Sequence, residues 1–133
     1  MKPGIEAGVG VVELEVTPDM TAVLDGRAIH AVYSTFWLSY HFEVAARRAI
    51  EPFFEEADNA VGVSVSVNHV AMAAVGAKVR IVATVREVRG RYIGCSLTAH
   101  VLPSNTLIAR GEQGQVLLAS NTLQDKVANA VTQ

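Results

Sequence analysis

The chemistry this sequence can offer rests on four side chains: Thr35, Ser39, Glu43 and His69. Thr35, Ser39 and Glu43 follow one another at four-residue steps, so on a helix they form one polar row among apolar neighbours. Burying a carboxylate in such a row costs several kcal/mol unless it is paired, hydrogen-bonded or protonated. Two readings stand: a functional site, or an exposed flank on which Arg47, four residues after Glu43, forms an ordinary surface pair. His69 takes the next inward position after the alternating Val61, Val63, Val65 and Val67, and the period then shifts to Val70 and Met72. That phase change predicts a bulge, a device that re-aims side chains. An inward imidazole is either a satisfied structural group or a proton carrier. With a hydroxyl and a carboxylate beside it, it can serve acid–base chemistry or attack on a carbonyl carbon. His30, His41 and His100 carry weaker signals, the last lying on the polar face of its strand.

Other chemistries lack their residues. Cys95 is the single cysteine and has no spaced Cys or His partner, so neither a metal set nor an internal disulfide is expected. The glycines at Gly4, Gly8 and Gly10 do not follow a strand in dinucleotide-binding order, and neither a phosphate loop nor a GxSxG nucleophile elbow occurs. No cofactor is expected. Eleven Lys plus Arg against 13 Asp plus Glu give a formal charge of −2, no field for holding a polyanion, so nucleic acid is not an expected partner. No apolar run reaches membrane length, and the N-terminus carries no signal-like apolar stretch, which favours a cytoplasmic protein without a membrane partner.

The elements that must position these groups follow from periodicity. Val12, Leu14 and Val16 alternate with Glu13 and Glu15 as a half-buried strand ended by Thr17-Pro18-Asp19. Met20 to Val32 is irregular around an Asp25-Gly26 turn signal and reads as a loop or short lid. Ser34 can cap a helix running to about Phe54, with Leu38, Phe42, Ala45, Ala46, Ala49 and Phe53 on one face and Pro52 near its end. Phe36, Trp37, Tyr40, Val44 and Ile50 make its other sides apolar, the mark of an enclosed helix. Four strands follow. Their inward faces are Val61 to Val67; Ala77, Val79, Ile81, Ala83 and Val85; Ile93, Cys95, Leu97, Ala99 and Val101; and a longer, less regular run from Leu107 to about Ala119, interrupted by Gly111 and Gly114. Asn121 to Gln133 reads as a frayed terminal helix.

One strand, one long apolar helix and a four-stranded meander make an α+β domain spanning residues 1–133. Its antiparallel sheet must curl around the helix to hide it. Half of the 133 residues are hydrophobic and only 18% are charged, more apolar surface than a chain this short can bury alone, so pairing with a second copy is expected.

These residues resemble a known family. Val32-Tyr33-Ser34-Thr35-Phe36-Trp37 running to Glu43, then Ala49-Ile50-Glu51-Pro52-Phe53-Phe54, Val61-Gly62-Val63 and Asn68-His69-Val70-Ala71 resemble the hot-dog-fold thioesterases of the fluoroacetyl-CoA thioesterase type. The likeness covers most of the chain. It implies a hot-dog fold and hydrolysis of an acyl-CoA thioester, with Thr35, Glu43 and His69 as the catalytic set and Gly62 presenting its backbone N–H to the substrate. Ile29 stands where the family's fluoroacetyl-selective enzyme has an aromatic lid residue, and Gln115 where it has an arginine. The hydrolytic set therefore carries over while the acyl group stays open. Ile29 and Ser39 join Gly62 as expected substrate contacts, and Arg80, Arg86, Arg89 and Arg91 are available to CoA phosphates at a rim.

The expected reaction is release of free acid and CoA from a small acyl-CoA. N–H groups at the helix start and near Gly62 would hold the carbonyl oxygen, Thr35 would position or attack the carbonyl, His69 would move the proton and Glu43 would activate water or orient His69. On one unbroken helix Thr35 and Glu43 stand about 12 Å apart along the axis. The set therefore requires either a homodimer or higher oligomer sharing the site, or a non-helical backbone at Thr35. The alternatives are a non-catalytic acyl-CoA or small-ligand binding protein, and a hydratase or dehydratase acting on acyl thioesters.

Overall fold

The structure, a computed structural model, describes residues 1–131. Strand β1 (Val9–Glu15) is followed by a hairpin of β2 (Thr21–Leu24) and β3 (Arg27–Tyr33), then helix α1 (Thr35–Ile50). Four long strands complete the sheet: β4 (Asp58–His69), β5 (Lys78–Arg89), β6 (Tyr92–Leu102) and β7 (Thr106–Ala119). Helix α2 (Ser120–Ala128) closes the chain. The expected terminal helix is thus present as α2, and Thr132 and Gln133 lie outside the described residues. The five strands of the main sheet run antiparallel in the order β1-β5-β6-β7-β4, curled against α1.

Local sequence accounts for the helix and its seat. The Ser34 side chain accepts a hydrogen bond from Trp37 N, capping the first turn, and the α-helix ends at Ile50, where a short 3-10 turn containing Pro52 takes over. Leu38, Phe42, Ala45, Ala46, Ala49 and Ile50 are buried against the sheet. Small residues let the helix backbone approach β1 so closely that a Cβ on Gly10 would meet the Ala45 carbonyl at 2.1 Å. The opposing core is the expected one: Val79, Ile81, Ala83 and Val85 from β5 and Ile93, Cys95, Leu97 and Ala99 from β6. Burial pushes the Cys95 thiol up to about 11, leaving it inert.

Three departures from the sequence expectations matter. Residues 21–33 are a β-hairpin rather than a loop. Asp25 at φ 52° and Gly26 at φ 73° make the left-handed turn that a two-residue hairpin connection requires, and bulges in β3 blur the alternation. In β4 the bulge lies at Gly62–Ser64, not at His69: Gly62 pairs with Gln115 and Ser64 with Gly114, leaving Val63 extra. The four valines therefore do not share one face, since Gly62 lies inward with its partner Gln115 before the bulge, and Val65, Val67 and His69 lie inward after it. Finally, α1 is not enclosed on all sides, because Phe36 is 70% and Tyr40 54% exposed.

Candidate active site

The first turn of α1 and the last residue of β4 bring two of the expected groups together. Thr35 is the first helical residue, and its Oγ1 lies 2.9 Å from His69 Nδ1. Capping uses Trp37 N, so among the described residues the N–H groups of Thr35 and Phe36 have no protein acceptor and are available to an oxygen carrying negative charge. Burial lowers the pKa of His69, partly offset by the Ala71 backbone, so the ring is neutral at pH 7 and can accept a proton. Its Nε2 is enclosed and meets no partner at full hydrogen-bond geometry among the described residues, while Nδ1 faces Thr35.

Two cavities meet at this pair. One, of about 340 Å³, is lined by His69, Val70, Ala71 and Met72 together with Val32 and Tyr33. The other, of about 360 Å³, lies between the hairpin and the first turn of α1, lined by Val23, Leu24, Phe36 and Trp37. Ala22, His30, Ser34 and Thr35 border both. His30, a weak signal in sequence, thus stands at the junction. Ile29 beside it is 38% exposed and is the extra residue of a bulge in β3.

Other expected groups stand apart. Helix α1 is unbroken from Thr35, so Glu43 lies about 12 Å along the axis from Thr35. The alternative surface pair with Arg47 is not formed either: Arg47 binds Glu51 Oε2 at 2.7 Å, the Ala60 carbonyl at 3.1 Å and Asn59 Oδ1 at 3.0 Å. Glu43 is exposed and makes no ion pair among the described residues. Ser39 donates its proton to the Thr35 carbonyl at 3.0 Å, which ties it to the helix rather than to a substrate. Gly62 stands seven residues before His69 on β4, where a Cβ would meet Gln113 Nε2 at 3.2 Å. Of the rim arginines, Arg80 faces Glu13, Arg86 donates to Ser96 Oγ and Arg89 pairs with Glu87, and β6 and β7 separate their strand from β4.

Sequence reasoning missed two buried polar features. The Tyr33 hydroxyl shares a buried hydrogen bond with His41 Nδ1, its one partner among the described residues. Burial raises the Tyr33 pKa and lowers that of His41, holding both neutral. The available signal was the spacing of His41, three residues after Leu38 and four before Ala45 on the packed face. Gln113 and Gln115, each 3% exposed, face inward on β7, each with one polar atom lacking a partner among the described residues. Their alternation with Gly114 was readable, but Gly111 and Gly114 made the strand look irregular.

Comparison with known proteins places this geometry. The sequence model of the fluoroacetyl-CoA-specific thioesterases, FlK, matches residues 16–121. A hypothetical protein of Thermus thermophilus, described as a thioesterase superfamily member, is 32% identical over 97% of this chain and 94% of its own, with a TM-score of 0.91. FlK itself, as a variant solved with acetyl-CoA, is 22% identical over 92% of this chain and 96% of its own, with a TM-score of 0.80. A hot-dog-like protein from Thermanaerovibrio acidaminovorans is 22% identical over 96% of this chain and 92% of its own, with a TM-score of 0.84. No curated protein matches the sequence. The curled sheet around α1 is the hot-dog fold.

Proposed function

The chain belongs to the fluoroacetyl-CoA-specific thioesterase family and is an acyl-CoA thioesterase, and on that premise we propose that it hydrolyses a small acyl-CoA at a site completed by two copies of the chain. The observation that carries this reading is the Thr35–His69 contact at the mouth of two cavities, with the carboxylate it lacks standing on the same open flank.

Helix α1 runs antiparallel to β4: Thr35 meets His69 at one end and the long Arg47 side chain reaches Ala60 at the other, so Glu43, about 12 Å along the helix, falls level with the middle of β4, near Val65 and Ser66. Each chain thus carries two half-sites on one flank. Strand β4 is a free edge, and no Asp, Glu, Lys or Arg follows Asp58 within it. Two β4 strands pairing antiparallel about a two-fold axis between Val65 and Ser66 set Gly62 of one copy opposite the partner's His69. Glu43 and Gly62 of one copy then complete the Thr35–His69 pair of the other. The exposed Tyr40, Val63 and Val65 supply apolar surface for the contact.

In the reaction, the N–H groups of the helix start and of Gly62 hold the thioester oxygen as negative charge develops on it. Neutral His69 takes the Thr35 proton through Nδ1 as Oγ1 attacks the thioester carbonyl and passes it to the departing CoA sulfur, which leaves Thr35 acylated. Glu43 then takes a proton from the water that attacks this ester and returns it to Thr35 Oγ1 as the free acid leaves. The test mixes two chains, Glu43→Ala and His69→Ala, each nearly inactive alone in thiol release from acyl-CoA. Co-refolded, half of the statistical dimers hold one intact site, so about a quarter of the original turnover returns. A mixture as inactive as its components excludes the shared site, and full turnover in both separate variants removes the assigned roles.

A further inference from the structure

The cavity between the hairpin and α1 names the kind of acyl group this site takes. Its walls include Val23, 52% exposed, Leu24, 62% exposed, and Phe36, 70% exposed, together with Trp37. A soluble chain that gathers four large apolar side chains around one concave space has left them for an apolar occupant. The space lies beside the Thr35–His69 pair: Thr35 lines it, and Ala22, His30, Ser34 and Thr35 border it and the neighbouring cavity alike. The two spaces differ in character: the one holding His69 is the more open, while the hairpin cavity is the more enclosed. A thioester whose carbonyl lies at Thr35 has two arms, a long polar pantetheine that must reach solvent and an acyl chain that need not.

We propose, building on the thioesterase reading above, that the hairpin cavity is the acyl subsite and that it selects apolar acyl groups of more than two carbons. An acetyl-sized group fills a small part of about 360 Å³, and the lining holds no Lys or Arg, so a carboxylate on the acyl chain meets no fixed cation. Walls facing an unfilled space lose dispersion contacts, whereas each methylene added to the acyl chain recovers them.

Binding of non-hydrolysable S-alkyl CoA thioethers, ethyl to octyl, measured by calorimetry on the full chain, tests the subsite without relying on turnover. Affinity rises roughly three- to fourfold per methylene up to about hexyl, and kcat/KM for the matching acyl-CoAs follows. Val23→Trp, and independently Leu24→Trp, fill the cavity from the exposed hairpin and lower the hexyl-to-ethyl affinity ratio about tenfold. Tightest binding of the ethyl compound overturns the proposal, as does a chain-length dependence unchanged in both tryptophan variants, which would put the acyl chain elsewhere, such as between two copies. Affinity that climbs with chain length in a protein that releases no thiol sustains the subsite and rejects the hydrolytic reading, so the two fail separately.

Discussion

The main sheet has two free edges, and they are built in opposite ways. Strand β1 is seven residues long, carries Glu13 and Glu15, and has its Val11 carbonyl occupied by Arg48 at 2.8 Å. Strand β4 is twelve residues long, ends in the imidazole that meets Thr35, and alternates valine with serine and asparagine from Val63 onward. Charges and a guanidinium are the usual means of closing an edge against another strand, and β4 has neither after Asp58. The difference separates two tasks within one sheet. β1 anchors α1, whose backbone lies against Gly10, while β4 carries His69 and keeps an unguarded edge.

Breaking the working edge has the largest effect. His69→Ala lowers kcat/KM by roughly a hundredfold to ten-thousandfold, the usual worth of a positioned acid–base group, with unchanged circular dichroism, whereas Glu13→Ala on β1 leaves turnover as it was. Val65→Lys places a charge in the middle of β4 and lowers turnover by about tenfold or more as the protomers separate, read by light scattering beside the assay. On the anchoring edge the damage falls on stability instead. Gly10→Ala drives a methyl into the Ala45 carbonyl and costs about 1–3 kcal/mol, seen as a drop in Tm, while kcat of the folded fraction persists. The smallest effect is in pH: burial lowers the His69 pKa, the neutral ring is the active form, and activity therefore falls on acidification with a midpoint below the ordinary value of 6.5. An acid limb centred above 6.5 would mean that a group other than His69 controls it.

The same contrast shows what the sequence made legible. β5 and β6 alternate cleanly between inward aliphatics and outward polar residues, and the structure follows them residue by residue. The helix start was readable because Ser34 precedes an apolar period, and the remoteness of Glu43 from Thr35 followed from helical rise alone. The face switch in β4 was not readable. Valine at 61, 63, 65 and 67 keeps perfect alternation in sequence, while the fold inserts Val63 as an extra residue, and Gly62 is the sole local hint. The hairpin was hidden for a related reason: bulges on the β3 side disrupt its period, although Asp25-Gly26 marked the turn correctly. Bulges depend on what the neighbouring strand offers, which no local pattern encodes.

Tyr33 governs how the hairpin above the substrate cavities can move. Its ring is fully buried, its hydroxyl is tied to His41, its N–H donates to the Ala73 carbonyl at 2.9 Å, and Val32 bridges Ala74. The hairpin is therefore clamped at its root next to Thr35, and any hinge must lie toward the Asp25-Gly26 tip. Opening for a bulky guest swings Val23 and Leu24 through the widest arc, while the pivot keeps the Thr35 hydroxyl in register with His69.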